Sequence, residues 1–171
     1  LTIAGANVKT VSTGAGNDEV KVTTALAATS SIDLGAGDDK LTLDVAPTAG
    51  ATLAGGDGTD TIAIKSVANY TTISNFRTAD LAKISGFEVL EITDALANSD
   101  SIDVSKIAGV GSFTAAAGVT SGMATVSKLA ANSTVTIAGA NTGVAGAPAN
   151  VTEKATFTFA DVTADAGVNA T

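Results

Sequence analysis

The chain has no cysteine, no histidine and no tryptophan, and only one tyrosine, one methionine and two prolines among its 171 residues. Without cysteine there is no disulfide, no thiolate nucleophile and no cysteine-ligated zinc site. Without histidine, the commonest general base and the commonest transition-metal ligand are both missing. A catalytic role is disfavoured before any motif is considered. Positive charge is also scarce: nine Lys and Arg stand against seventeen Asp and Glu, for a net charge of −8. Such a surface repels phosphate backbones and attracts cations, so nucleic acid is not an expected partner. Long apolar runs are missing as well. None approaches the roughly 18 residues of a membrane span, and Leu1 to Thr10 shows neither the basic segment nor the apolar stretch of a signal peptide. The start reads as internal to a longer chain.

What the sequence does have is a repeat, and repeats decide architecture. Gly14-Ala15-Gly16-Asn17-Asp18-Glu19-Val20-Lys21-Val22, Gly35-Ala36-Gly37-Asp38-Asp39-Lys40-Leu41-Thr42-Leu43 and Gly56-Asp57-Gly58-Thr59-Asp60-Thr61-Ile62-Ala63-Ile64 align without gaps at a constant offset of 21 residues. The offset also places Val11, Ile32 and Leu53 in one column. Alternating apolar pairs, Val20 and Val22, Leu41 and Leu43, Ile62 and Ile64, put two side chains per strand on one face. Strands this short gain stability only by stacking, so the expected fold is all-β, a right-handed parallel β-solenoid with one coil per repeat.

A looser repeat follows, with Leu81 to Gly86, Val104 to Gly109 and Val126 to Ala131 at offsets of 23 and 22, separated by strand-like stretches at Glu88 to Thr93, Ser112 to Ala117 and Thr134 to Ala138. Thr156 to Phe159 is a further expected strand, and the Thr2 to Asn7 sequence recurs at Thr136 to Asn141. Ser66 to Asp80 fits neither repeat and reads as an enlarged loop or short helix, while Gly143 to Asn150, with Pro148, reads as a surface loop. The expected organisation is residues 1–65 as the regular glycine- and aspartate-bearing coils and residues 66–171 as continuing coils without that pattern, one continuous structural domain.

The three aligned segments fit the nonapeptide G-G-x-G-x-D-x-U-x of calcium-binding β-rolls, a pattern familiar from RTX proteins. The third copy, beginning at Gly55, is complete, whereas the first two carry Thr13 and Leu34 at the leading position. Gly14, Gly16, Gly35, Gly37, Gly56 and Gly58 permit the positive φ of a tight turn with inward carbonyls. Asp18, Asp39 and Asp60 then form a column of carboxylates at the strand spacing of about 4.8 Å. An ion midway between two of them lies roughly 2.4 Å from each, within the range of calcium–oxygen bonds and less suited to the shorter, strictly octahedral bonds of magnesium. Without a cation, neighbouring carboxylates at that distance repel by roughly 3 kcal/mol at an effective dielectric of 20. Against this stands the reading that Gly and Asp merely make turns. Asn17, Asp38 and Asp57 are candidate additional ligands, equally readable as solvated turn residues. Asp39, in the middle, is expected to face ions on both sides, and Asp18 and Asp60 on one. Asp80 is a weaker candidate, since it lacks the glycines. Glu91, Asp94, Asp100 and Asp103 form a second acidic group, readable as another calcium site or, more simply, a solvated face.

With these motifs placed, the chain resembles the RTX-containing surface-layer proteins of Gram-negative bacteria. The resemblance rests on the repeats at 13–64, on Ile84-Ser85-Gly86-Phe87-Glu88-Val89-Leu90-Glu91-Ile92, and on a composition rich in Ala, Thr, Gly, Val and Ser. It implies type I secretion, calcium-dependent folding, a place at the cell surface and self-association into a lattice or end-to-end oligomer, with no catalysis. Any cell-surface polysaccharide would be held through parts outside this chain. Two other readings are a non-catalytic β-roll module of a secreted RTX enzyme, toxin or adhesin, and a β-solenoid acting on polysaccharide. The last would call for aromatic platforms, and the chain offers only Tyr70 and five Phe.

Overall fold

The computed structural model describes residues 1–5, 7–97, 99–120, 124–130, 133–138, 155–158 and 168–170, the last two segments as backbone. Along the chain, β1 (Thr2–Ile3), β2 (Thr10–Ser12) and β3 (Glu19–Val22) lead to β4 (Ser31–Ala36), β5 (Lys40–Leu43), β6 (Thr52–Asp57) and β7 (Thr61–Ile64). Two helices, α1 (Val67–Ser74) and α2 (Thr78–Leu81), precede β8 (Ile84–Ser85) and β9 (Val89–Ile92). After them come β10 (Ser101–Asp103), a 3-10 turn at Val104–Lys106, β11 (Ser112–Ala115), β12 (Ala124–Ser127), β13 (Thr134–Ile137), β14 (Ala155–Thr158) and β15 (Val168–Ala170).

Strands dominate, and they pair mostly in parallel. One sheet runs β1-β3-β5-β7-β9-β11-β13-β14, a second runs β2-β4-β6-β8, and a third runs β10-β12-β15. Each repeat thus delivers one strand to the large sheet and the next to a smaller one. The register repeats the sequence offset residue for residue: Val20 pairs with Leu41 and Leu41 with Ile62, while Ile32 pairs with Leu53. Alternation supplies the reason. Val20, Val22, Leu41, Leu43, Ile62, Ile64, Leu90 and Ile92 are all buried, and a one-residue slip would turn each of them outward. Each such side chain contributes about 1.5–3 kcal/mol by leaving water.

Residues 66–80, expected as a loop or short helix, form α1 and α2. Ser66 caps α1 by accepting the Asn69 N–H at 3.3 Å, and Tyr70 and Ile73 turn inward. The buried Tyr70 hydroxyl donates to the Asp103 carbonyl at 2.6 Å, tying the insertion to β10. The insertion lengthens the offset between paired strands: Ile62 of β7 pairs with Leu90 of β9, and Leu53 of β6 with Ile84 of β8.

The looser repeat is only partly as expected. β9, β11 and β13 fall within the expected strand stretches and pair in parallel. The expected alignment of Val104 with Val126 is not the one adopted, because Ile102 pairs with Val126 and Val104–Lys106 is a 3-10 turn. The Asp103 carboxylate explains the break, accepting the Ser105 N–H at 3.2 Å and its hydroxyl at 2.6 Å. The strand expected at Thr156 to Phe159 is present as Ala155–Thr158, but β14 and β15 run antiparallel to β13 and β12. The Gly143 to Asn150 loop and the end of the Thr136 to Asn141 duplication lie outside the described residues. No helix among the described residues is long and apolar enough to cross a membrane.

Candidate metal centre

The three glycine segments run from the end of β4 toward β5, from the end of β6 toward β7, and just before β3, so strand pairing brings them together along one edge. Close approach accounts for the glycines. Gly35 has φ +99°, and a Cβ there would lie 1.9 Å from the Gly14 carbonyl oxygen; at Gly56, φ +118°, it would lie 1.8 Å from that of Gly35. Gly16, Gly37 and Gly58 also have positive φ and follow one another in the same way. Any side chain at 35 or 56 would push neighbouring turns apart.

The aspartates behind these turns form the expected row, held by backbone bonds. The Asp18 N–H donates to Asp39 Oδ1 at 2.7 Å, and the Asp39 N–H donates to Asp60 Oδ1 at 2.8 Å. The Asp60 N–H continues the series by donating to Glu88 Oε2 at 2.8 Å. Each aspartate therefore retains a second oxygen. Asp18 Oδ2, Asp39 Oδ2 and Asp60 Oδ2 are all buried, and no protein donor reaches any of them. Buried polar atoms are ordinarily partnered, and a buried carboxylate oxygen without a partner is costly. Three in register make a row of acceptor oxygens that a cation could satisfy.

Asp60 is fully buried and Asp39 is 2 % exposed. Burial pushes the Asp60 carboxyl above its ordinary range, the Asp39 N–H bond acts against that, and the charges of Asp39, Glu88 and Asp38 add to it. The folded state thus holds a proton on Asp60 at a pH where the unfolded chain has lost it, so stability falls as pH rises between the ordinary aspartate value and the raised one. With divalent ions chelated, melting temperature should rise as pH is lowered through that window. Asp60→Asn should flatten the rise, and an unchanged slope in the variant would show that Asp60 does not titrate as described.

The other expected ligands are placed differently. Asn17 Oδ1 accepts the Asp38 N–H and Asp38 Oδ1 accepts the Thr59 N–H, both at 2.9 Å, so these side chains staple neighbouring turns on the exposed side. Asp57 is exposed. Asp80, weighed as a fourth carboxylate, instead lies on α2 and pairs with Arg77 at 3.1 Å. Of the second acidic group, Glu91 pairs with Lys40 at 2.9 Å, Asp100 accepts the Ala97 N–H at 2.7 Å, and Asp103 caps the 3-10 turn.

Glu88 takes the place first considered for Asp80, and sequence spacing conceals it. Its signal is Gly86-Phe87-Glu88 before the alternating Val89-Leu90-Glu91-Ile92, which parallels Gly58-Thr59-Asp60 before Thr61-Ile62-Ala63-Ile64. Asp60 therefore has a carboxylate on each side, like Asp39, and of the three aspartates Asp18 alone stands at an end of the described row. Past Glu88 the row stops, since Gly111 and Ser112 both donate to the Glu88 carbonyl and neither carries a carboxylate.

Among the described residues no three acidic side chains gather tightly enough to hold an ion by themselves. A cation here would take two carboxylates per gap and complete its shell with turn carbonyls and water, an all-oxygen set that suits a hard divalent ion. Comparison with family models, with curated proteins and with solved structures gave no match.

Proposed function

We propose that this chain is a calcium-dependent, non-catalytic structural element of a bacterial surface layer, wound as a right-handed parallel β-solenoid and assembling with copies of itself. The observation that carries the reading is the row of buried, unpartnered Oδ2 atoms on Asp18, Asp39 and Asp60. Calcium in the gaps supplies the missing positive charge. Those oxygens hold it, with carbonyls from the Gly14, Gly16, Gly35, Gly37, Gly56 and Gly58 turns, and the ion ties one coil to the next. Winding into a solenoid is supported by the regular exchange of strands between two parallel sheets, and right-handed crossovers are the rule for such connections. Weak all-oxygen sites of this kind fill at the millimolar calcium of the extracellular space.

Electron microscopy of the purified protein, with calcium and with chelator, tests the assembly. Ordered sheets or filaments should form in millimolar calcium and disperse on chelation. Light scattering that finds a monomer at every calcium concentration would instead favour a β-roll module serving a larger secreted protein.

A further inference from the structure

We infer that the row carries one more cation site than its nonapeptides encode, in the gap between Asp60 and Glu88, walled by Asp60 Oδ2, the Gly86 carbonyl and the Glu88 carboxylate, and that it takes calcium. The inference rests on the reading above and adds a ligand that the motif lacks. Asp60 is fully buried, and its Oδ2 has no protein donor. Its backbone N–H holds Glu88 Oε2 at 2.8 Å, the same contact by which Asp18 and Asp39 hold the carboxylate that follows each of them. Glu88 is thus an in-register member of the row.

Gly55 adds an independent observation. A Cβ on it would meet the Gly86 carbonyl oxygen at 1.7 Å and Asp60 Oδ2 at 2.8 Å. Both oxygens converge over the Gly55 Cα, within the span that one calcium ion, bonded at roughly 2.4 Å to each, can bridge. Only the third repeat has glycine at the leading position. At the equivalent positions, Leu34 buries its side chain and the Thr13 hydroxyl donates to the Leu34 carbonyl at 2.6 Å. The chain also reaches Glu88 two residues after Gly86, whereas Asp60 comes five after Gly55. The turn is shortened here, and the extra methylene of glutamate extends the carboxyl group back toward the row.

Calcium counted after equilibrium dialysis of the whole chain tests this. Three gaps should give at least three bound ions, and Glu88→Gln, which keeps an acceptor for the Asp60 N–H, should bind one fewer or hold one at least tenfold more weakly. Two ions on the unsubstituted chain, or equal number and affinity in Glu88→Gln, would overturn the inference and leave the aspartate sites standing. Fewer than two bound ions at millimolar calcium would overturn both. Should Glu88→Gln fail to fold, the count on the unsubstituted chain decides.

Discussion

Chelating calcium should lower the melting temperature by about 10–20 °C and reduce the β signal in circular dichroism. An ion that binds only the folded state stabilises it by RT ln(1 + [L]/Kd), about 2.7 kcal/mol per site at a hundredfold excess over Kd. The two gaps among Asp18, Asp39 and Asp60 then contribute roughly 5 kcal/mol, and a chain of this length shifts by about 2–4 °C per kcal/mol. Loss should be greatest in β2 to β7, next to the row. Strands β11 to β13, held by Phe113, Val126 and Val135 in the core, should persist longer. A melting curve unmoved by excess chelator would remove calcium from the account.

Single substitutions in the row should divide into two classes and change sign with calcium. In millimolar calcium, Asp39→Asn and Asp60→Asn each weaken two gaps and should cost roughly 5 kcal/mol, whereas Asp18→Asn weakens one and should cost about half as much. This ranking differs from the sequence expectation, which placed Asp39 alone in the middle; Glu88 makes Asp60 its equal. In chelator the order should invert. There the buried Oδ2 of Asp39 or Asp60, which no protein donor reaches, is a liability, and the amide keeps an acceptor for the neighbouring N–H while removing repulsion between neighbouring carboxylates. Both variants should then be at least as stable as the parent. Thermal melts of the three variants with and without calcium check both halves. If the aspartates merely shaped turns, Asn would act alike under both conditions.

The strand register and the aspartate row were legible in the sequence because one number, the offset of 21, governs both. Val20, Leu41 and Ile62 share a column on paper and share a ladder in the fold. Past Ile64 the offset stops being constant, and periodicity loses its authority. The α1–α2 insertion sets Leu90 opposite Ile62, so Glu88 has no visible alignment to Asp60 until the strands are paired. Asp103, by drawing Ser105 into a turn, shifts the partner of Val126 from Val104 to Ile102, an outcome of two side-chain bonds and not of hydrophobic pattern. Strand direction in β14 and β15 had no signal at all, because an alternating segment reads the same in parallel and antiparallel pairing.

The amide-to-carboxylate bonds along the row all point one way. Asp18 depends on Asp39, Asp39 on Asp60 and Asp60 on Glu88, each earlier amide finding its acceptor on a residue synthesised later. Completion of the row is therefore retrograde with respect to translation. A chain ending at Ile64 would contain every nonapeptide and still leave the Asp60 amide without its acceptor. The segment that carries no calcium motif closes the one that does.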